Sequence, residues 1–288
     1  MLLHSDLPLE WAGLAAVAAG IKVAGVVYAR GWHRYRLRLP GRFGVPRLAA
    51  FLGGLACLCA AILPPLDEAA DTRLSAHMMQ HILLLTVSPA LLLLGDPLLL
   101  LVRGLPDSFR RTFVAGLARQ RWLRRAMHSL VHPLVALLVS SVIFWSWHVP
   151  ALYQLALRVP AIHVVEHVSF FAGGLLFWYP VVQPWPSRPK WPTGAVIPYL
   201  LAADVQNTVL AALLTFSDRV LYPFYEFHSR AAEAAALDDQ VLAGVIMWVP
   251  MSLAYLVPAA LLTIRLLSPA TPLSRRTVGL ALSRTRTS

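Results

Sequence analysis

The chain of 288 residues is 58% apolar and only 14% charged. A soluble protein needs more charged surface than this, whereas a helix in hydrocarbon satisfies its backbone internally and can be apolar on every side. The composition therefore excludes an ordinary soluble protein. The formal charge of +11 does not require a nucleic-acid partner, because the basic residues lie between apolar segments.

Seven segments approach the roughly 20 apolar residues that a membrane-crossing helix needs. In chain order they cover 8–29, 47–64, 74–101, 132–149, 161–181, 194–216 and 239–266. The third contains Pro89 and Gly95-Asp96-Pro97, so we expect it to kink and to end near Leu94. The sequence predicts an all-α integral membrane protein with about seven transmembrane helices over 1–267, followed by a basic, disordered tail over 268–288.

The loops set the expected orientation. Arginines crowd the connections between spans one and two and between spans three and four, whereas the alternate loops carry acids. The positive-inside rule then places the amino terminus outside and the carboxyl terminus in the cytoplasm, with the arginines near anionic lipid. The basic segment 103–131 is compatible with an amphipathic surface helix, in which apolar residues stand among the arginines: Phe109, Phe113, Leu117 and Trp122. An interfacial loop is the simpler interpretation.

Five histidines fall at the same predicted membrane level, near the outer face. His77 and His81 open span three, His148 closes span four, and His163 and His167 open span five. The two pairs with four-residue spacing each project from one helical face, so each pair can chelate an ion. Imidazole suits copper, zinc, iron and nickel. A single interfacial histidine is also typical of a headgroup anchor, but polar residues clustered in spans are usually functional.

Five further residues are auxiliary candidates for this metal site. Glu166 is a ligand, an interfacial acid or, as we favour, a hydrogen-bond acceptor for an imidazole N–H. Asp239 has the same choices, or caps its own helix. Met78, Met247 and Met251 carry thioethers that select copper(I), although packing is the simpler role for each of them.

Asp204 lies near the middle of span six, close to Asn207. A central charge costs about 2.5–3.5 kcal/mol on insertion scales, so Asp204 should face the bundle interior. Midplane polar sites of this kind occur in transporters. Cys57 and Cys59 are better explained as small buried side chains than as a copper-transfer pair.

Four blocks of sequence, taken in order, resemble the multi-spanning CtaG-type cytochrome c oxidase assembly proteins. They are His77-Met-Met-Gln-His81 running into 91–98, Trp147-His148-Val149-Pro150 with Leu152-Tyr153, His163-Val-Val-Glu166-His167 running to 177–180, and Asp239-Gln240 with Met247-Trp248-Val249-Pro250. One departure is Met251-Ser252 after Pro250, where a glycine is expected, and it affects only local helix packing.

The resemblance implies a non-enzymatic role in maturing an aa-type oxidase in the bacterial plasma membrane, commonly linked to copper supply. The residues carried over are His77, His81, His148, His163, Glu166, His167 and Asp239. The expected cofactor is copper, held between spans three, four and five, and the expected partners are cytochrome c oxidase subunits or copper chaperones. The alternatives are a heme-binding membrane redox protein and a metal transporter that uses Asp204.

Overall fold

The computed structural model describes residues 7–39, 41–114, 116, 119–187, 191–225 and 233–268. These residues are mainly helical and contain no strand. The principal helices are α1 (Leu7–Arg36), α2 (Val45–Ile62), α3 (Leu66–Ala70), α4 (Leu74–Leu94), α5 (Pro97–Gly104), α6 (Arg121–Leu130), α7 (Pro133–His148), α8 (Pro150–Arg158), α9 (Pro160–Val182), α10 (Val196–Phe216) and α11 (Glu233–Leu267). The predicted tail lies outside the described residues from 269 onward.

The membrane-spanning bundle that the sequence predicts is confirmed. Among the described residues, six helices are long and apolar enough to cross a membrane: α1, α2, α4, α9, α10 and α11. The remaining predicted span corresponds to α7, whose 16 residues fall short alone. It follows α6 across a 75° bend, and this bent pair brings the number of spans to as many as seven.

The third predicted span ends where the sequence places its end. Helix α4 stops at Leu94, after a π-helical turn over Leu83–Val87 that lies just before Pro89. Proline has no N–H to donate, so the regular helical ladder is interrupted at this point. The chain then turns through Asp96, whose φ of 51° is left-handed, and begins the separate helix α5.

Two close helix contacts depend on glycine. Helix α9 crosses the π-helical turn at Gly174, where a Cβ would overlap the Leu85 carbonyl and Pro89. Helices α1 and α5 run antiparallel, because Gly31 faces the Leu100 backbone and Gly104 faces Val27. Small residues at such crossings let helix backbones approach closely in a membrane bundle.

A buried carboxylate joins three connections at the end where α4 stops. Asp96 is only 1% exposed and accepts a hydrogen bond of 2.8 Å from the Trp185 backbone N–H. Its other oxygen lies 3.5 Å from the Arg42 Nε atom and 3.4 Å from an Arg47 guanidinium nitrogen. The sequence treats Asp96 only as part of a helix break, yet it ties the loops after α1, α4 and α9 together.

The structure corrects the loop interpretation of the basic segment. Residues Arg121–Leu130 form the surface helix α6, with a short helical turn at Asp107–Phe109 before it. Trp122 is 67% exposed and Met127 is 53% exposed, so the bundle leaves the apolar side of α6 uncovered. The side chains of Phe113 and Leu117 lie outside the described residues.

Candidate metal centre

The five predicted histidines lie together at one end of the bundle, which we call the histidine end. Three helices supply them: α4, α7 and α9. The imidazole ring centroids are separated by 4.5 Å for His77–His81, 4.2 Å for His163–His167, 5.3 Å for His77–His163, 5.9 Å for His77–His167, 5.7 Å for His81–His148 and 6.1 Å for His81–His167. The structure thus brings both spaced pairs and His148 into one cluster.

Local contacts hold these helices in register. The indole N–H of Trp147 on α7 donates to Ser169 Oγ on α9 at 2.7 Å, and Ser169 Oγ donates to the Glu166 carbonyl at 2.8 Å. Gln80, fully buried between the histidines of α4, donates to the Ala61 carbonyl at 2.7 Å and to Asp67 at 2.8 Å. These bonds fix α7 against α9, and α4 against α2 and α3.

Four residues meet the spatial requirement for one ion. His77, His163, Glu166 and His167 each offer a ligand atom, and these atoms lie within 4.8 Å of one another. Ligands on an ion with bonds near 2.0–2.2 Å stand roughly 3–4 Å apart, so small side-chain movements would complete a coordination shell. Among the described residues, the Nε2 atoms of the three histidines and both Glu166 oxygens are buried without a hydrogen-bond partner. Such a donor set fits a metal ion.

Glu166 occupies the centre of the cluster. It is fully buried, with Oε1 3.5 Å from His81 Nε2 and Oε2 3.9 Å from His77 Nε2. The sequence favours it as a hydrogen-bond acceptor for an imidazole, whereas the structure groups one of its oxygens with the candidate ligand atoms. A buried carboxylate without hydrogen bonds is costly, and a bound cation would offset that cost.

In His148 and His77, a contact at the Nδ1 atom determines that the Nε2 atom faces the cluster. His148 Nδ1 lies 2.7 Å from the Phe144 carbonyl oxygen, which can only accept, so Nδ1 carries the proton and Nε2 keeps its lone pair. His77 Nδ1 lies 3.2 Å from the Tyr225 hydroxyl. A partner on one nitrogen orients the ring and leaves the other nitrogen available for a metal.

Three tyrosines that the sequence does not predict as site residues surround this cluster. The Tyr153 and Tyr225 hydroxyls are 3.0 Å apart, and the Tyr222 hydroxyl donates to the His148 carbonyl at 2.9 Å. Burial raises the pKa of Tyr222 and Tyr225 well above the usual value, so both hydroxyls remain protonated. The available signal is the aromatic run Tyr222-Pro-Phe-Tyr225, which follows span six at the level of the histidines.

The remaining predicted residues have other positions. Asp239 on α11 accepts hydrogen bonds from the Ser75 backbone N–H and hydroxyl, so it caps α4 rather than its own helix. Met78 is fully buried within α4, and Met247 and Met251 are 1% and 2% exposed in the apolar core.

Asp204 lies on α10 with one buried oxygen that lacks a hydrogen-bond partner in the described part of the chain. The neighbouring Asn207 donates to the Met247 carbonyl at 3.2 Å.

These features define a class: a multi-spanning helical membrane protein with a buried cluster of histidines and one carboxylate at one end of its bundle. The chain belongs to the cytochrome c oxidase caa3 assembly factor (Caa3_CtaG) family, whose model matches residues 26–268. The resemblance drawn from the four sequence blocks is therefore confirmed.

The similar curated proteins are mycobacterial. The chain is 28% identical to an uncharacterized protein of Mycobacterium bovis, and the match covers 80% of this chain and 35% of that protein. It is 26% identical to an uncharacterized protein of Mycobacterium leprae, with 83% of this chain and 36% of that protein covered. The chain thus spans about a third of the length of these relatives. No solved structure matches it.

Proposed function

We propose that this protein is a non-enzymatic assembly factor that holds copper at the histidine end for the maturation of cytochrome c oxidase. The observation that carries the proposal is the group of His77, His163, Glu166 and His167, whose ligand atoms converge and have no hydrogen-bond partner in the described part of the chain. Family membership supports the process, and the donor set supports the metal. When bound, the ion would be cargo for the oxidase rather than a catalytic centre.

The donor chemistry favours copper among the ions that imidazole binds. Affinity of nitrogen and oxygen sites rises along the first-row divalent ions to a maximum at copper. The two cysteines, Cys57 and Cys59, lie on α2, which supplies none of the clustered histidines. The proposed site therefore relies on imidazole and carboxylate donors.

The test is copper binding by the purified, metal-free protein in detergent. We expect tight uptake by the wild-type protein, and a loss of affinity of more than about tenfold after His77→Ala or His167→Ala, because each replacement removes a donor. His33→Ala is the matched control, since His33 is exposed on α1 far from the cluster. Failure to take up copper, or equal affinity in all four proteins, would contradict the proposal.

The same preparation separates the two alternatives. A Soret band would favour heme ligated by two histidines on facing helices. Metal uptake into sealed vesicles that requires Asp204 would favour a transporter, whose polar site would lie on α10 away from the histidines.

We further propose that the histidine end faces the outside of the bacterial plasma membrane. The arginine-rich connections after α1 and α5 lie at the opposite end, as the positive-inside rule requires for cytoplasmic loops. Single cysteines in a variant without Cys57 and Cys59 test this orientation. An impermeant thiol reagent should label Asp218→Cys in intact cells, and should label Arg38→Cys only after the cells are opened. The reverse pattern would exclude the proposed orientation.

The proposed partners are subunits of cytochrome c oxidase, or chaperones that pass copper to or from this chain. In cells whose only copy carries His77→Ala, we expect oxidase protein to be made with reduced copper content. Full copper loading of the oxidase in these cells would show that oxidase assembly does not need the histidine cluster.

A further inference from the structure

The four-residue group leaves donor atoms of two further buried histidines unaccounted for. His81 is 2% exposed, and no described residue gives either of its ring nitrogens a hydrogen-bond partner. His148 is 5% exposed, and its Nε2 atom also lacks a hydrogen-bond partner within the ranges that the structure describes. Buried polar atoms in native proteins normally have hydrogen-bond partners, so unpartnered imidazoles next to a candidate metal site indicate a second bound ion.

Glu166 faces two different histidines with its two oxygens. Oε2 is the oxygen nearest His77, at 3.9 Å, whereas Oε1 is the oxygen nearest His81, at 3.5 Å. Both oxygens are buried, and neither has a hydrogen-bond partner among the residues described. A carboxylate in this position can give one oxygen to each of two ions.

The ring orientations of the α4 pair also separate two positions. The His77 and His81 rings are nearly perpendicular, with an interplanar angle of 88°. The His77 ring lies 5.3 Å from the His163 ring on α9. The His81 ring lies nearer to the His148 ring on α7, at 5.7 Å, than to the His167 ring on α9, at 6.1 Å. The two rings of the α4 pair thus have different imidazole neighbours on the other helices, which places His77 and His81 beside two separate positions.

We propose that the cluster is a two-ion site in which Glu166 bridges one ion held by His77, His163 and His167 and a second ion held by His81 and His148. This inference rests on the proposed function, because it requires that the cluster binds copper. Each ion then has histidine donors from two helices.

Charge selects the oxidation state of the pair. Glu166 contributes one negative charge, and the surrounding helices form a low-dielectric environment in which uncompensated charge is expensive. Two copper(I) ions with one carboxylate leave a net charge of +1, whereas two copper(II) ions leave +3. A single copper(II) ion suits the nitrogen and oxygen donors, but the net charge of +3 disfavours two such ions together, so the two-ion state is expected for copper(I).

The test measures copper(I) bound per chain in the purified protein, by metal analysis after anaerobic loading and removal of free ion. We expect two ions in the wild-type protein and in His33→Ala, and one ion both in His148→Ala and in the double variant His163→Ala with His167→Ala, because each of these two variants leaves one histidine and Glu166 at the affected position. Copper-edge X-ray absorption should show a copper neighbour in the wild-type protein and lose it in the two single-ion variants. Thermal unfolding of the metal-free variants in detergent checks that each bundle is intact.

The outcomes separate this inference from the proposed function. One ion in the wild-type protein would overturn the two-ion site and leave copper binding in place. Two ions in folded His148→Ala would likewise overturn the assignment of the second position. No copper in the wild-type protein would overturn the proposed function itself.

Discussion

The Tyr225 hydroxyl links the candidate metal centre to the segment that follows α10. It lies 3.2 Å from His77 Nδ1 and 3.0 Å from the Tyr153 hydroxyl, and it also donates to the Ala70 carbonyl at 3.3 Å. A group that holds the second nitrogen of an imidazole ligand fixes the ring and the position of its other lone pair. Tyr225 is therefore expected to position His77 without touching the ion.

Tyr225→Phe should weaken copper binding by about 10–100-fold, the usual effect of removing such a partner. It should also lower stability by about 1 kcal/mol through the lost hydroxyl contacts. Tyr199→Phe is the matched control, because its hydroxyl donates to the Phe177 carbonyl at 2.8 Å away from the histidines. Copper titration and thermal unfolding of both variants give the comparison. Equal copper affinity in the two variants would contradict a positioning role.

Asp96 gives a second prediction, on stability. Asp96→Ala leaves the Trp185 N–H without its acceptor, removes the partner of Arg42 and Arg47, and puts alanine at a left-handed φ of 51°. The Arg42 and Arg47 side chains are 41% and 34% exposed and stay solvated, so we expect a loss of about 1–3 kcal/mol, mainly from the Trp185 N–H that loses its acceptor. Asp96→Asn should lose less, because asparagine tolerates this backbone region and still accepts the N–H bond.

Thermal unfolding midpoints in detergent measure both Asp96 variants. The control is copper affinity per folded molecule, which should stay unchanged because Asp96 lies at the opposite end of α4 from the histidines. A midpoint for Asp96→Asn as low as that for Asp96→Ala would show that the ion pairs dominate.

At the residue scale, the sequence identifies the histidines because their spacing and membrane depth are both visible in it. The role of Glu166 is not visible, since a glutamate between two histidines can face toward or away from them. Tyr225 is hidden for a different reason: its contact with His77 joins residues 148 positions apart. Only the packing of the segment after α10 against α4 reveals it.

At the scale of the elements, one glycine determines how closely the two ligand-bearing helices approach. Gly174 lies where α9 crosses the π-helical turn of α4, against the Leu85 carbonyl and Pro89. Helix α4 carries His77 and His81, and α9 carries His163, Glu166 and His167. The distance between these helices therefore sets the distance between the two halves of the site.

Gly174→Ala should push α9 away from α4, since the added methyl meets backbone that cannot move aside easily. Overpacking of this kind costs about 1–3 kcal/mol, and we expect copper affinity to fall with it. Gly173→Ala is the matched control at the next position, because its methyl would meet only the tip of the Ile143 side chain, at 3.1 Å. Unfolding midpoints and copper titrations should both separate the variants, and equal behaviour would show that the close crossing does not set the site.

The helix boundaries show what a sequence pattern can supply at this scale. Proline and glycine end helices through local backbone effects, so the break after Leu94 is predictable from Gly95-Asp96-Pro97. The π-helical turn before Pro89 is not, because a proline inside a helix can be accommodated by a kink, a π turn or a partner on another helix. Here the approach of Gly174 accompanies the π turn.

At the scale of the whole molecule, hydropathy predicts a bundle of about seven spans, but not which of them is incomplete. Helix α7 has 16 residues and is preceded by a 75° bend, so the chain runs from α6 into the bundle without a long connecting loop. The basic segment before α7 combines arginines with apolar residues. Its composition alone does not separate a surface helix from an interfacial loop, and the structure gives the helix.

The two sides of α6 differ in chemistry in the way that a membrane surface requires. Arg121, Arg124 and Arg125 share one side at helical spacing, while the exposed Trp122 and Met127 belong to the apolar remainder of the helix. A helix of this kind lies at the headgroups, with its apolar side in the acyl boundary and its arginines near anionic lipid. Each arginine close to such a surface contributes about 1 kcal/mol.

We therefore expect α6 to lie on the anionic leaflet, and labels on its two sides should report this. In a variant without native cysteines, an environment-sensitive fluorophore at Met127→Cys should report an apolar environment in bilayers with anionic phospholipid. The same fluorophore at Arg125→Cys should report water. Replacing Arg121 and Arg124 by alanine, raising the salt concentration or using zwitterionic bilayers should shift the Met127→Cys signal toward water, because each change weakens attraction to the headgroups. Water-like signals from both positions in anionic bilayers would mean that α6 stands away from the membrane.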